Sequence, residues 1–454
     1  MKIAITKNSW LHGSDLRLDA SFHLSEGRQA KNTIQMLSVE KQNLSKISLK
    51  IYNGARFKRV YVSDENRGIA FMGSSDMLKS DFYGLKYLSK VYTKNISELL
   101  IKKDWILVSC SGTIGNTVYT SLDFDGKSAS QHIMRIIPDN SKIKSGYLYA
   151  YLSSKYGYSL LTQGTYGAVI QHIEPEHIEN IPVPIIPENK QLEIHNLIAE
   201  SAELRVEANK LLKNAVNYFN QKYSSSKIET TKVFSKKISQ INFSWAAYNN
   251  NIESDEIMNR FSIEKVAIKD ISEDVFVPPM FKHIYLEKNN GNPFLTGSEL
   301  TQQNPKFYRY LSTRGVKNII DYKVQKGTLL LYKSGTTDGG ILGNVFIVDD
   351  LLNGACLSDH VIRINMKEIR MSYWVYAFLK SNAGIHLLKR LATGSMIPFI
   401  TPDKIKELHV PKPDDSFDWV ANCISEYISK NTLSNIKENQ AIQLVENEIE
   451  QWQH

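Results

Sequence analysis

The chain has 454 residues and a mass of 51.8 kDa, too much for one ordinary domain and enough for about two to four. Hydrophobic residues make up 42% and charged residues 22%, which excludes a mainly disordered, collagen-like or mucin-like chain. The net charge of +8, from 55 Lys+Arg against 47 Asp+Glu, permits a nucleic-acid partner, because phosphate contacts need cations, without proving one. No apolar run approaches the roughly 18 residues of a membrane span, and residues 1–10 carry no apolar core of a secretory signal. A cytoplasmic protein without membrane contact is expected. Cys110, Cys356 and Cys423 are scattered and show no CxxC spacing, which speaks for a reducing compartment and against a disulfide frame or a zinc finger.

In chain order, residues 1–187 mix short Val/Ile/Tyr/Phe-rich runs with Gly/Ser/Asn/Asp turns. Strands are predicted at Lys58–Ser63 and Trp105–Cys110, and a helical stretch at Ser145–Leu161. Pro182 and Pro184 close this region. A long helix follows from Glu188 to Tyr223, where neither Pro nor Gly occurs. Ile194, Leu197, Ser201, Leu204, Ala208, Leu211, Ala215 and Tyr218 recur there at spacings of three and four, an a/d seam. At about 1.5 Å per residue such a helix would reach about 54 Å. The Ser/Thr/Lys-rich stretch Lys222–Lys237 reads as a linker. Residues 226–413 repeat the first pattern, with a helical stretch at Ser372–Ala392 and a close at Pro411 and Pro413. A second long helix runs from Phe417 to Gln453, with a seam through Ile442, Val445, Ile449 and Trp452 that loosens at Asn431 and Asn435. The domains are therefore set at 1–187, 188–225, 226–413 and 414–454.

The chain is two copies of one module. Leu18–His23 has a counterpart in Ser244–Asn249, Phe57–Tyr61 in Phe281–Tyr285, and Phe71–Met77 in Phe294–Leu300. Leu107–Asn116 returns, with an insertion, as Leu330–Asn344. Ser130–Ile136 matches Ser358–Ile364, Tyr149–Leu152 matches Tyr376–Leu379, and Pro175–Pro184 matches Pro402–Pro411. The order is the same throughout and the offset stays between 223 and 230. The expected fold class is α+β: two similar β-rich globular domains separated by two long helices. Each long helix lacks a partner in its own module, so the two are expected to pair as an antiparallel coiled coil, a rod with a module at either end.

Motifs for chemistry are missing. The sequence holds no GxxxxGK[ST] phosphate loop, no GxGxxG after a strand, no HExxH or GxSxG, and no [DN]PP[YF] tetrapeptide. Asn304–Phe307 only echoes the last. His172, Glu174, Glu176, His177 and Glu179 cluster without metal-ligand spacing and read as a solvated turn and helix start. No metal and no catalytic residue is assigned. The shared His132 and His360 read as buried, hydrogen-bonded core histidines. Ser111-Gly112-Thr113 and Ser334-Gly335-Thr336 read as tight structural turns.

The doubled layout resembles the DNA-specificity subunit of type I restriction-modification systems. The matching pieces are Leu107–Asn116, the Pro-flanked exit Ile178–Pro184, the helix start Pro187–Ile194 and the C-terminal helix Phe417–Gln453. The resemblance implies a non-catalytic reader of double-stranded DNA. Each module would be a target-recognition domain for one half of a bipartite, asymmetric sequence. The helices would dock two DNA-methyltransferase subunits, and restriction subunits with motor and nuclease activity would join them. S-adenosylmethionine, ATP and Mg²⁺ would belong to those partners, and this chain would hold no cofactor. Competing readings are a stand-alone metal-dependent nuclease or modification enzyme, the specificity subunit of a related methylation-based defence system, and a protein scaffold that binds no DNA. Positioning on phosphates calls for Lys and Arg, and base readout for Arg, Lys, Asn and Gln. The candidates are Arg56, Lys58, Arg59, Lys79 and Lys86 in the first module. In the second they are Lys282, His283, Lys306, Arg309, Arg314 and Lys317. The candidate coiled-coil residues are Ile194, Leu197, Leu204, Ala208, Leu211, Ala215, Ile442, Val445, Ile449 and Trp452.

Overall fold

A computed structural model describes residues 25–452 except 113, 164–171, 224–234, 242–244, 246, 251, 262–263, 289, 336–340 and 395. The expected linker and the matched pair at Leu18–His23 and Ser244–Asn249 therefore lie largely outside the described residues. The chain divides into two compact units, one of residues 1–206 with 433–454 and one of residues 207–432. The division falls inside both long helices, Glu188–Tyr223 and Phe417–Gln451, so each unit holds part of each.

Among its described residues, unit 1 contains ten strands: β1 (Lys41–Asn43), β2 (Ser48–Asn53), β3 (Tyr61–Val62), β4 (Gly68–Met72), β5 (Lys86–Ser89), β6 (Ile106–Ser109), β7 (Thr117–Tyr119), β8 (Ser128–Ala129), β9 (Ile133–Pro138) and β10 (Pro182–Pro184). They form a β2-β9-β6-β7 sheet, a β3-β5-β4-β8 sheet and a β1-β10 pair. β6 is apolar without alternation because it is covered on both faces. Ile106 and Val108 pack towards the helices, and Leu107 packs with Met72, Val118, Phe124 and Ile133. The predicted strand at Lys58–Ser63 is shorter than expected, since only Tyr61 and Val62 find ladder partners, on β5.

Unit 2 repeats this topology strand for strand. β11 (Lys265–Ala267), β12 (Ser272–Phe276), β13 (Tyr285–Leu286), β14 (Asn292–Leu295), β15 (Arg309–Leu311), β16 (Leu329–Tyr332), β17 (Val345–Ile347), β18 (Cys356–Leu357), β19 (Val361–Met366) and β20 (His409–Pro411) follow in order. They form β12-β19-β16-β17, β13-β15-β14-β18 and β11-β20. Details repeat as well. Tyr147 donates its hydroxyl to the Pro184 carbonyl at 2.7 Å, and Trp374, at the matching position, donates its indole N–H to the Pro411 carbonyl at 2.9 Å.

The predicted helical stretches each break in two, into Ser145–Ser153 with Lys155–Gln163 and Ile369–Lys380 with Asn382–Arg390. Ser154 and Ser381 cause the break: their hydroxyls accept the backbone N–H groups of Gly157 and Gly384, both at 3.2 Å, and so cap the second helix. The glycines are required, because a Cβ at either would stand 2.1 Å from a carbonyl oxygen of the preceding helix.

Within each unit the long helices run antiparallel. In unit 1, Lys190 reaches Glu448 at 3.6 Å and Glu200 reaches Lys437 at 2.6 Å. In unit 2, Glu207 pairs with Lys430 at 2.7 Å. Ile194, Ala208, Ala215, Ile442, Val445 and Ile449 are buried. Elsewhere the seam differs from the expectation. Leu197, Leu204 and Leu211 are only half-buried, and the deep positions lie one residue further on, at Ile198, Arg205 and Leu212. The helix turns this way because Arg205 finds Glu438 and Asn435 on the facing helix. Trp452 is not part of the seam. It follows the last helical residue, Gln451, and is 37% exposed.

Candidate nucleic-acid interface

The site is built on the small second sheet of each module. In unit 1, β3, β4 and β5 bring Tyr61, Phe71 and Lys86 together. Phe57, on the segment leading into β3, meets Phe71 edge-on at 6.2 Å, and Tyr61 flanks the same ring at 6.2 Å. Arg59 lies between them in sequence, with its guanidinium 5.0 Å from the centre of the Phe71 ring. Lys86 stands 5.3 Å over Tyr61. These are cation–π distances. Arg56, Lys58, Arg59, Tyr61 and Lys86 are all exposed. The structure thus brings Arg59 and Lys86 onto one aromatic cluster, with Arg56 and Lys58 beside Arg59 in the chain. Lys79 differs, because it is paired with Asp76 at 2.6 Å inside its own turn.

Unit 2 builds the same cluster with other side chains. Phe281 meets Phe294 edge-on at 6.0 Å and Tyr285 lies 6.0 Å from the same ring. His283 takes the place of Arg59, with its ring 5.3 Å from Phe294 and 4.5 Å from Phe281. Its Nδ1 is 3.1 Å from the Tyr285 hydroxyl. Lys282, Arg314 and Lys317 are exposed. Arg309 is ion-paired with Glu299 at 3.4 Å, and Lys306 is half-buried.

Behind Arg59 lies a chain of hydrogen bonds that reading the sequence missed. Arg59 donates from Nη2 to Gln131 Oε1 at 2.9 Å. Gln131 Nε2 lies 3.0 Å from His132 Nε2, and His132 Nδ1 lies 2.8 Å from the Ser111 hydroxyl. Since Gln131 accepts through its oxygen, its nitrogen donates to His132. The proton of the imidazole then sits on Nδ1 and goes to Ser111. Burial, seconded by Arg59, His172 and Arg56, holds the His132 pKa below the usual histidine range, in keeping with that neutral ring. His132 is half-buried. The matching His360 is exposed, contrary to the expectation of a shared core histidine, and Asp359 stands where Gln131 does. The only trace in the sequence was the repeated Ser-Gln-His and Ser-Asp-His block.

The cluster from His172 to Glu179 is a turn and helix start. Glu174 and His177 form a capping box around Pro175–Ile178, and His172 pairs with Glu174 at 2.8 Å. Among the described residues, no group of three His, Cys, Asp or Glu side chains could hold a metal ion. Cys110 and Cys356 are buried thiols, pushed up by burial to about 12 and about 11, far from reactive thiolates. No described helix is long and apolar enough to cross a membrane.

Two buried arginines hold this face to the core. Arg135 on β9 donates to the carbonyls of Leu99, Ala129, Ser130 and Ile133, at 2.6 to 3.3 Å. Arg363 on β19 donates likewise to Leu357, Ser358 and Val361, at 2.6 to 3.0 Å. Each ties the large sheet to the last strand of the small one. Burial lowers the pKa of both, that of Arg363 to about 10.

Residues 49–218 match the family model of the Type I restriction modification DNA specificity domain. That match spans 170 of the 454 residues, from 49 to 218. The second unit repeats the strand order of the first. Among solved structures, the chain is similar to a type I restriction-modification system S subunit from M. genitalium, with 12% identity and a TM-score of 0.34, covering 92% of this chain and 95% of that one. It is also similar to the HsdS subunit from Thermoanaerobacter tengcongensis, with 11% identity and a TM-score of 0.29, covering 91% and 96%. A chain from a study of complex assembly and conformational transition of the type I R-M system has 13% identity and a TM-score of 0.28, covering 90% and 95%. Comparison with curated proteins found no match.

Proposed function

We propose that this chain is the non-catalytic, sequence-specific DNA-binding subunit of a type I restriction-modification complex, with each module reading one half of a bipartite target. The observation that carries this reading is the basic, aromatic face that both units build on the same strands but with different residues, Arg59 on Phe71 in one and His283 on Phe294 in the other. One architecture with two readers implies an asymmetric target. Modification of an internal adenine requires its extrusion from the stack, which falls to docked DNA-methyltransferase subunits. S-adenosylmethionine belongs to them, and ATP and Mg²⁺ to the restriction subunits. The long helices are the docking elements, and the complex works on chromosomal and invading DNA in the cytoplasm.

The test is binding of the full chain to a library of duplexes with randomised sequence over a range of salt. A split sequence should be enriched, and affinity should fall steeply as salt rises, with a slope set by the phosphates contacted. Absence of any duplex binding would favour a protein scaffold. Cleavage or methylation by the chain alone, with Mg²⁺ or S-adenosylmethionine, would favour a stand-alone enzyme.

A further inference from the structure

We infer that Arg59 and His283 are the matched specificity-determining side chains of the two modules, Arg59 committing its half-site to a guanine and His283 leaving the other half-site without that demand. The inference rests on the DNA-reading role proposed above and adds to it which residue reads, which base class it selects and in which half.

Three observations carry it. First, the two side chains are equivalent by construction. Each sits two residues after a phenylalanine that meets a buried phenylalanine edge-on, and two before a tyrosine on the same ring. The buried rings, Phe71 and Phe294, are 6% and 1% exposed and give both positions a rigid floor. Second, Arg59 is oriented before any ligand arrives. Its guanidinium lies 5.0 Å from the centre of the Phe71 ring, and Gln131 takes one hydrogen of Nη2. Gln131 is itself held by His132, and His132 by Ser111. A guanidinium has five N–H donors, so one engaged hydrogen leaves a two-donor edge. That edge matches the O6 and N7 acceptors of guanine in the major groove. A phosphate contact needs no such fixing, since a mobile Lys or Arg serves it equally well. Third, the described residues of unit 2 do not repeat these supports. Histidine cannot present two parallel donors, Asp359 replaces Gln131, and His360 is exposed. Gln131 is a positioning residue here, acting through Arg59.

The experiment is selection from a randomised duplex library with the full chain and the variants Arg59→Ala, Arg59→Lys, Gln131→Ala and His283→Arg. The wild-type chain should enrich a split sequence with a guanine at one position of one half. Arg59→Ala should remove the preference at that position alone, a loss of about five- to 150-fold in discrimination, and leave the other half unchanged. Arg59→Lys should keep the charge and still lose the preference, because an ammonium cannot bind guanine as a fork. Gln131→Ala should weaken the same preference with an unchanged melting temperature, and His283→Arg should add a guanine preference in the other half, weaker than that of Arg59 because no glutamine holds the new side chain. The assignment is overturned if Arg59→Ala weakens all sequences equally, as a phosphate contact would, or alters both halves. A wild-type chain that binds duplexes without enriching any sequence overturns this assignment and the reader role together.

Discussion

The two long helices meet by different chemistry in the two units. In unit 1 their seam carries a buried polar layer. Arg205 pairs with Glu438 and donates to Asn435 at 2.9 Å, Tyr149 donates to Glu438 at 3.0 Å, and Ser201 faces Ser434 at 2.9 Å. In unit 2 Tyr218 and Trp419 meet across the two long helices at 6.3 Å, and each long helix also packs rings on the helix Ile369–Lys380: Phe219 lies 4.8 Å from Trp374 and 5.5 Å from Phe378, and Tyr427 stacks with Tyr376 at 6.3 Å. Aromatic packing supplies area and dispersion. A buried ion pair supplies little net stability, because desolvation offsets its attraction, but it penalises every register in which the charges fail to meet. Unit 2 is held by the shape of its rings, and the buried charges of unit 1 set where its helices align.

Four measurements separate the two chemistries. The largest effect is expected from Phe219→Ala, which should cost about 3–5 kcal/mol as a cavity opens among Trp374, Phe378 and Tyr223; urea unfolding showing a cost below about 1 kcal/mol would deny that unit 2 is held by its rings. Glu438→Leu alone should cost about 3 kcal/mol by stranding the Arg205 charge, and adding Arg205→Met should recover at least half of it. Without that recovery the layer is a source of stability rather than of register. Leu212→Ala should then cost about 2–3 kcal/mol and Leu211→Ala less than about 1 kcal/mol, which separates the observed seam from the one the Leu spacing suggests. The smallest effect concerns pH. Burial lowers the pKa of His195, whose Nδ1 accepts the Gly146 N–H at 3.0 Å, and of His132. The unfolded state therefore binds protons first as pH falls, and stability should decline below about pH 6.5, the unfolded value, until the folded pKa is passed. His195→Gln keeps an acceptor and should blunt the decline in melting temperature between pH 7.5 and 5.5, while an unchanged profile would remove His195 from this account.

Much of the fold was legible because it repeats. Seven matched blocks announced the duplicated module, and the strand orders agree. The candidate interface was legible only as a region. Arg59 and His283 could be aligned as Phe-Lys-Arg and Phe-Lys-His, but nothing in either block says that Phe71 and Phe294 lie beneath them. Lys79 and Arg309 looked equal to the others until Asp76 and Glu299 were found beside them.

What the order of amino acids determined by itself is local and periodic: two modules in tandem, long uninterrupted helices, apolar β6 and β16 runs, and no loop for phosphate or tetrapeptide for base methylation. Tertiary structure decided which polar side chains go inside. Leucine spacing pointed to Leu204, and Arg205 was buried instead because Glu438 and Asn435, 233 and 230 residues away, meet it across the seam. Propensity and periodicity depend on near neighbours, whereas burial of a charge depends on a partner that only the folded chain brings within reach.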